Sequence, residues 1–174
     1  MIDISIIIVN WNVKDLLDKC LASLHKGTVA INQPQGNLPV IEIIVVDSAR
    51  HDDSVQMIRD NYPEVRLFPQ AENVGFTRGN NIGFREAQGR YLFLLNPDTE
   101  IIDDAIPTLF NYMGNHTEVG IIGTHTLNTD GSHQSTRRRF PTLKTGIFES
   151  TWLSAYAPQS TSVIKCLIPT TRQF

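Results

Sequence analysis

Residues 91–95, Tyr-Leu-Phe-Leu-Leu, are apolar at every position and are stopped by Asn96-Pro97. A strand with one wet face would alternate apolar and polar residues, and this one does not. It therefore predicts a strand covered on both faces, at the centre of a parallel sheet. Proline has no ladder donor and pushes its predecessor out of helical geometry, so the strand ends there and delivers Asp98 at its carboxyl end. Ligands of open α/β sheets bind beyond that edge.

Two earlier and largely apolar runs, residues 2–9 with Asp3 and Ser5 and residues 41–46 with Glu42, read as further strands, the first of them buried, and the second ends in Asp47. Between them Val13, Leu16, Leu17, Cys20, Leu21 and Leu24 fall at helical spacing, with Asn12 the expected N-cap and Asp15 favouring the first turn. Gly27 and the polar run 32–39 read as loop. Asp52 or Asp53 is expected to cap a short helix reaching about Asn61, followed by a strand over 65–68. Gly75 and Gly79 are expected in a tight loop whose backbone approaches a ligand, with Asn80 and Asn81 hydrogen-bonding there or capping the helix that follows. Past Asp98, a helix capped by Asp103 or Asp104 runs to about Met113. A strand over 119–123 and a hairpin turn at 128–131 come next. This alternation predicts an α/β fold, a right-handed and mostly parallel sheet with helices on both faces. Residues 1–150 read as one domain, and 151–174, rich in Ser and Thr and lacking any acidic residue, as an irregular tail.

Fifteen basic residues against eighteen acidic ones leave a net charge of -3, so no general positive field gathers nucleic acid, and no nucleic-acid partner is expected. Cys20 and Cys166 form neither a CxxC pair nor a disulfide framework, so both read as free thiols of a reducing, cytoplasmic setting. The apolar start is too short to cross a membrane, and Asp3 stands where a signal peptide would be positive, so no transmembrane segment is expected.

Chemistry can be read at the strand ends. A carboxylate at a strand end, such as Asp98, suits holding Mg²⁺ or Mn²⁺ against the phosphate oxygens of a ligand; the simpler reading of residues 96–99 is a turn before a helix. Asn10 and Asn12 lie at the edge that touches a base or ribose, while a capping role competes for both. Arg78 can pair with a diphosphate or be surface charge, and Arg137, Arg138 and Arg139 can serve a phosphate-bearing acceptor or form a solvated patch. His51 reads as a solvated loop histidine.

Four stretches in order carry a family resemblance: SIIIVNWN at 5–12, IEIIVVDSARHDDS at 41–54, NVGFTRGNN with LFLLNPDTE within 73–100, and RRRFP at 137–141. Together they resemble the inverting, GT-A type glycosyltransferases of family 2, especially rhamnosyltransferase-like members. The resemblance implies a Rossmann-like GT-A fold and transfer of a sugar from a nucleoside diphosphate sugar to a polysaccharide or lipid-linked glycan acceptor. It implies donor binding by Asn10, Asn12, Asp47, Gly75, Arg78, Gly79 and Asn80, with Asp47 accepting a hydrogen bond from the base. The family's Asp-x-Asp metal element is here Asn96-Pro97-Asp98, with one carboxylate replaced by an amide. Ser48, Arg50 and His51 depart from the family's commoner Asn-Ala-Ser-Thr run. The catalytic base of such enzymes is expected in an acidic element downstream of this chain, which makes a truncated enzyme the expectation. A cytoplasmic place, including the inner face of the membrane, goes with that reading. A binding module that holds nucleotide-sugar without turnover is the competing function. A nucleotidyltransferase would want a Gly-rich phosphate loop after the first strand, and residues 10–14 contain no glycine.

Overall fold

The computed structural model describes residues 1–26, 30–32, 38–48, 52–124 and 126–134. Residues Met1–Ile122 form one compact unit and Gly123–Phe174 a second. In the first, strands and helices alternate: β1 (Ile4–Asn10), α1 (Lys14–Leu24), β2 (Ala30–Ile31), β3 (Val40–Asp47), α2 (Ser54–Asn61), β4 (Arg66–Pro69), α3 (Gly75–Glu86), β5 (Tyr91–Leu95) and α4 (Ala105–Asn115). The second contains the hairpin β6 (Thr126–Leu127) and β7 (His133–Gln134), whose turn over 128–131 is closed by the Gly131 N–H on the Asn128 carbonyl at 2.9 Å, as expected.

The sheet order is β2-β3-β1-β5, with β4 also on β3, and every pairing in it is parallel. β1 matches β3 from Ile4↔Ile41 to Asn10↔Asp47 and β5 from Ile4↔Tyr91 to Ile8↔Leu95. Alternation along the strands then builds two apolar layers. Ile4, Ile6 and Ile8 join Ile41, Ile43 and Val45 beneath Leu17, Cys20, Leu21 and Leu24 of α1, Met57 and Ile58 of α2, and Ile106 of α4. On the other face Ile7, Ile44 and Val46 meet Ile82 of α3. Helices cover both faces, and each fully buried Ile or Leu contributes about 1.5–3 kcal/mol relative to exposure.

Several expectations are corrected. The segment from Gly75 is helix, not loop: α3 starts there, with the Gly75 N–H held by Asn73 Oδ1 at 2.8 Å and Gly75 itself at φ +73°, a backbone that glycine adopts without strain. Gly79 and Gly83, one turn apart, let α3 lie close on β1. A Cβ on Gly79 would come within 2.7 Å of Val9 Cγ1, and one on Gly83 would clash with Ile7. Their glycines therefore serve helix-on-sheet packing.

Asn12 is not the cap of α1. It turns the chain at φ +54°, Val13 is the cap residue, and Asp52 Oδ2 accepts the Lys14 N–H from across the edge at 3.0 Å. β5 is not central: among the described residues it pairs only with β1, and α3 packs on β1 and β3, leaving Leu92 and Leu94 52% and 49% exposed. Residues 119–123 form no strand, because no neighbour offers them a ladder among the described residues and Ile121 is exposed. The two-residue β2 has no apolar run long enough to announce it.

Away from the strands' carboxyl ends, a polar network ties α3 to the sheet. Buried Glu42 accepts from Ser5 Oγ at 2.6 Å, from the Gln88 N–H at 2.6 Å and from Arg66 Nη1 at 2.7 Å. Burial alone pushes its carboxyl up; those hydrogen bonds and the Arg66 charge outweigh burial and hold it below the usual range.

Candidate functional site

Because the strands are parallel, their carboxyl ends share one edge, and α1, α2, α3 and α4, which follow strands β1, β3, β4 and β5, all begin there. The helix N-termini bring partial positive charge to that edge, where an anion is favoured, and the first N–H of α1 and of α2 is held by Asp52 and that of α3 by Asn73.

The register Asn10↔Asp47 sets two predicted site residues side by side. Asn10 Nδ2 donates to Asp47 Oδ2 at 2.6 Å and to Ser54 Oγ at 3.0 Å, and the Ser48 N–H donates to the Asn10 carbonyl at 2.9 Å. Ser54 Oγ in turn donates to Asp52 Oδ1, while Asp52 also holds the first N–H of α1. One line of hydrogen bonds thus links the ends of β1 and β3 to the starts of α1 and α2. Asn10 and Asp47 are both 0% exposed. Two atoms stand out: Asn10 Oδ1 and Ser48 Oγ are buried and lack a hydrogen-bond partner among the described residues. Leaving such a group unpaired costs about 1–3 kcal/mol, which a ligand donor relieves.

The next strand end carries Asp98. Residues 96–99 form a turn closed by the Thr99 N–H on the Asn96 carbonyl at 3.2 Å. Pro97, with its fixed φ, takes the first central position, and Asp98 follows at the exposed tip. The structure thus shows the simple turn, with Asp98 exposed on it. Cys20 lies beneath it, its thiol pushed up to about 12 by burial and then by the charges of Asp98 and Glu100.

No group of three or more His, Cys, Asp or Glu that could hold a metal ion occurs among the described residues. Mg²⁺, however, is commonly held by one or two carboxylates together with substrate phosphates and water. An exposed Asp98 carboxylate beside the exposed Asn96 amide offers hard oxygen donors of that kind, so the residues fit such an ion.

On α3, Arg78 is exposed in the first turn and Gly75 opens the helix at the same edge. Gly79 and Asn80 are buried within the helix, and Asn80 Nδ2 donates to the Phe76 carbonyl at 2.9 Å. The fold accounts for both, which corrects their placement on an open loop. Trp11, 58% exposed directly after β1, was not singled out by sequence; the signal was an aromatic lying outside any apolar period, between Asn10 and Asn12. Its ring offers a stacking face at the edge. Arg50, His51, Arg137, Arg138, Arg139 and Cys166 lie outside the described residues.

The fold and the polar strand-end site define an α/β protein of GT-A type. Solved structures of Staphylococcus aureus TarS (residues 1–349) share it: the complex with UDP-GlcNAc superposes with a TM-score of 0.56 at 18% identity, covering 67% of this chain and 32% of that one. The model of glycosyl transferase family 2 matches residues 5–170, and the chain belongs to that family. Among curated relatives, an uncharacterized glycosyltransferase of Haemophilus influenzae is 32% identical over 113 residues, 63% of this chain and 42% of that protein. Escherichia coli YibD, likewise an uncharacterized glycosyltransferase, is 31% identical over 109 residues, 61% of this chain and 29% of that protein. Bacillus subtilis GgaB, a minor teichoic acid biosynthesis protein, is 25% identical over 124 residues, 69% of this chain and 13% of that protein. The chain thus spans less than half the length of these relatives.

Proposed function

We propose that the carboxyl edge of the sheet binds a nucleoside diphosphate sugar for inverting, metal-dependent transfer to a polysaccharide or lipid-linked glycan acceptor. The observation that carries this reading is the pair of buried, unpartnered atoms Asn10 Oδ1 and Ser48 Oγ beside exposed Trp11. The imide N–H of a nucleobase stacked on Trp11 is assigned to Asp47, whose carboxylate Asn10 Nδ2 holds in place. Asn12, in the same turn, is assigned to the base or ribose. Gly75, Arg78 and the α3 N-terminus are assigned to the diphosphate, where an Arg fork and helix N–H groups suit phosphate oxygens. Asp98 and Asn96 would hold Mg²⁺ or Mn²⁺, which when bound neutralises the departing diphosphate. Inversion also needs a carboxylate on the sugar face opposite the diphosphate, and no described residue is assigned to it.

The family membership supports transfer chemistry. The UDP-GlcNAc bound to TarS and the teichoic acid role in the name of GgaB fit the donor and acceptor classes. A cytoplasmic place, with peripheral contact at the inner membrane face, belongs to the same proposal; no helix among the described residues is long and apolar enough to cross a membrane.

Calorimetry tests the reading. UDP binding is expected to require Mn²⁺ and to weaken roughly 100-fold in Asp98→Ala, as for the loss of a two-partner charged contact worth about 3 kcal/mol. Asp47→Ala is expected to weaken UDP more than inorganic pyrophosphate, since only the nucleotide carries the base donor assigned to Asp47. Unchanged UDP affinity in both variants overturns the assignment. Sugar transfer to acceptor by the purified chain distinguishes an enzyme from a module that only holds donor.

A further inference from the structure

The turn that carries Asp98 is gripped from below at both ends by one helix. At its start, Cys20 Sγ–H donates to the Asn96 carbonyl at 3.7 Å, the same oxygen that closes the turn with the Thr99 N–H. At its end, Ser23 Oγ accepts the Ile101 N–H at 2.9 Å and donates back to the Cys20 carbonyl at 2.6 Å. Cys20 and Ser23 are one helical turn apart, so they share a face of α1, and both are buried. Serine is an unusual choice for a buried position of α1, whose other buried residues are Leu17, Cys20, Leu21 and Leu24, since an apolar residue would be buried there without burying a hydroxyl. The hydroxyl's two partners account for it, and one of them lies 78 residues away, just past Asp98 and Glu100.

We propose that Ser23 and Cys20 are positioning residues that clamp residues 96–101 at both ends and so fix where Asp98 meets the donor diphosphate. The proposal rests on the assignment of Asp98 made above. An exposed turn has many accessible conformations, and a carboxylate at its tip binds a cation only in the fraction that points correctly. Pinning the turn at the Asn96 carbonyl and the Ile101 amide removes that freedom without adding any group to the site. The clamp acts as outer-shell partners of metal ligands do, by orientation.

Two readouts test it, one of them free of any ligand. In Ser23→Ala the Ile101 amide loses its acceptor, so its hydrogen exchange, followed by NMR, is expected to accelerate while amides of β1 and β3 keep their protection. The Mn²⁺ concentration that half-saturates UDP binding is expected to rise roughly 10- to 100-fold, while metal-free uridine binding is unchanged. Ser23→Thr keeps the hydroxyl and is expected to restore both. A folded Ser23→Ala protein with the wild-type Mn²⁺ requirement, measured beside an Asp98→Ala protein that has lost its Mn²⁺ response, overturns the clamp and leaves the site reading standing. An Asp98→Ala protein with an intact Mn²⁺ response overturns the site reading and the clamp together. If Ser23→Ala does not fold, Cys20→Ala against Cys20→Ser, which retains a donor, makes the same comparison, and equal Mn²⁺ requirements in those two overturn the clamp.

Discussion

β3 is hydrogen-bonded on both edges and covered on both faces, so every residue from Val40 to Asp47 is buried, whereas β5 is bonded to β1 alone and shows Leu92 and Leu94 to solvent. The two strands are similarly apolar. What separates them is their neighbours: β1, β2 and β4 close both edges of β3 and helices close both its faces, while α3 stops short of the outer face of β5. Burial in a parallel sheet is therefore conferred by position, and apolar composition is only the permission for it. The site follows the same division. Its buried half, Asn10 with Asp47, hangs on the doubly covered strands, and its exposed half, Asp98, on the half-covered one.

The largest expected effect is on β3. Ile44→Ala removes a fully buried side chain under α3 and is expected to cost about 2–5 kcal/mol in urea unfolding. A smaller loss, about 1–3 kcal/mol, is expected for Gly83→Ala, whose new methyl would overlap Ile7. A neutral Gly83→Ala would mean that α3 sits farther from β1 than described. Glu42→Gln follows at about 1–2 kcal/mol near neutral pH, from the loss of charge-assisted hydrogen bonds.

That carboxyl is held below its unfolded value, so its contribution is complete above the ordinary Glu range of about 4.3 and is lost as pH falls from there through the lowered folded value. Stability of the wild type should therefore drop more steeply than that of Glu42→Gln below that pH; parallel curves would remove Glu42 from the acid response. The smallest effect is expected on β5, where Leu92→Ser should stay within about 0.5 kcal/mol. A loss matching that of Ile44→Ala would show that the outer face of β5 is covered in solution, which would erase the contrast.

Much of this was legible in the residues. Largely apolar runs and a helical period pointed to β1, α1 and β3 in order, and Pro97 placed the end of β5. The misreadings have physical causes. Gly79 carries the signature of a loop, but a glycine that makes room for a neighbouring strand looks the same along the chain as one that bends it, and the difference lies in Val9, far off in sequence. Asn12 resembles a cap, yet the cap hydrogen bond of α1 comes from Asp52, which only the fold brings near. The position of β5 depends on what flanks it, and no local pattern encodes that. At the site, Asp47 and Asp98 were visible as strand-end acids. The dependence of Asn10 on Asp47 was not, since it exists only in the register of two parallel strands.

That register also has a bearing on time. β1 takes its partners from far downstream: Asn10 meets Asp47 37 residues on, and the hydroxyl of Ser5 waits for the amide of Gly89, 84 residues on. Contacts of such separation close large loops before they return any stability, so they slow folding. During synthesis, β1 stands with at least one bare edge until Leu95 has been made, and through that interval the unpaired edge is open to non-native pairing.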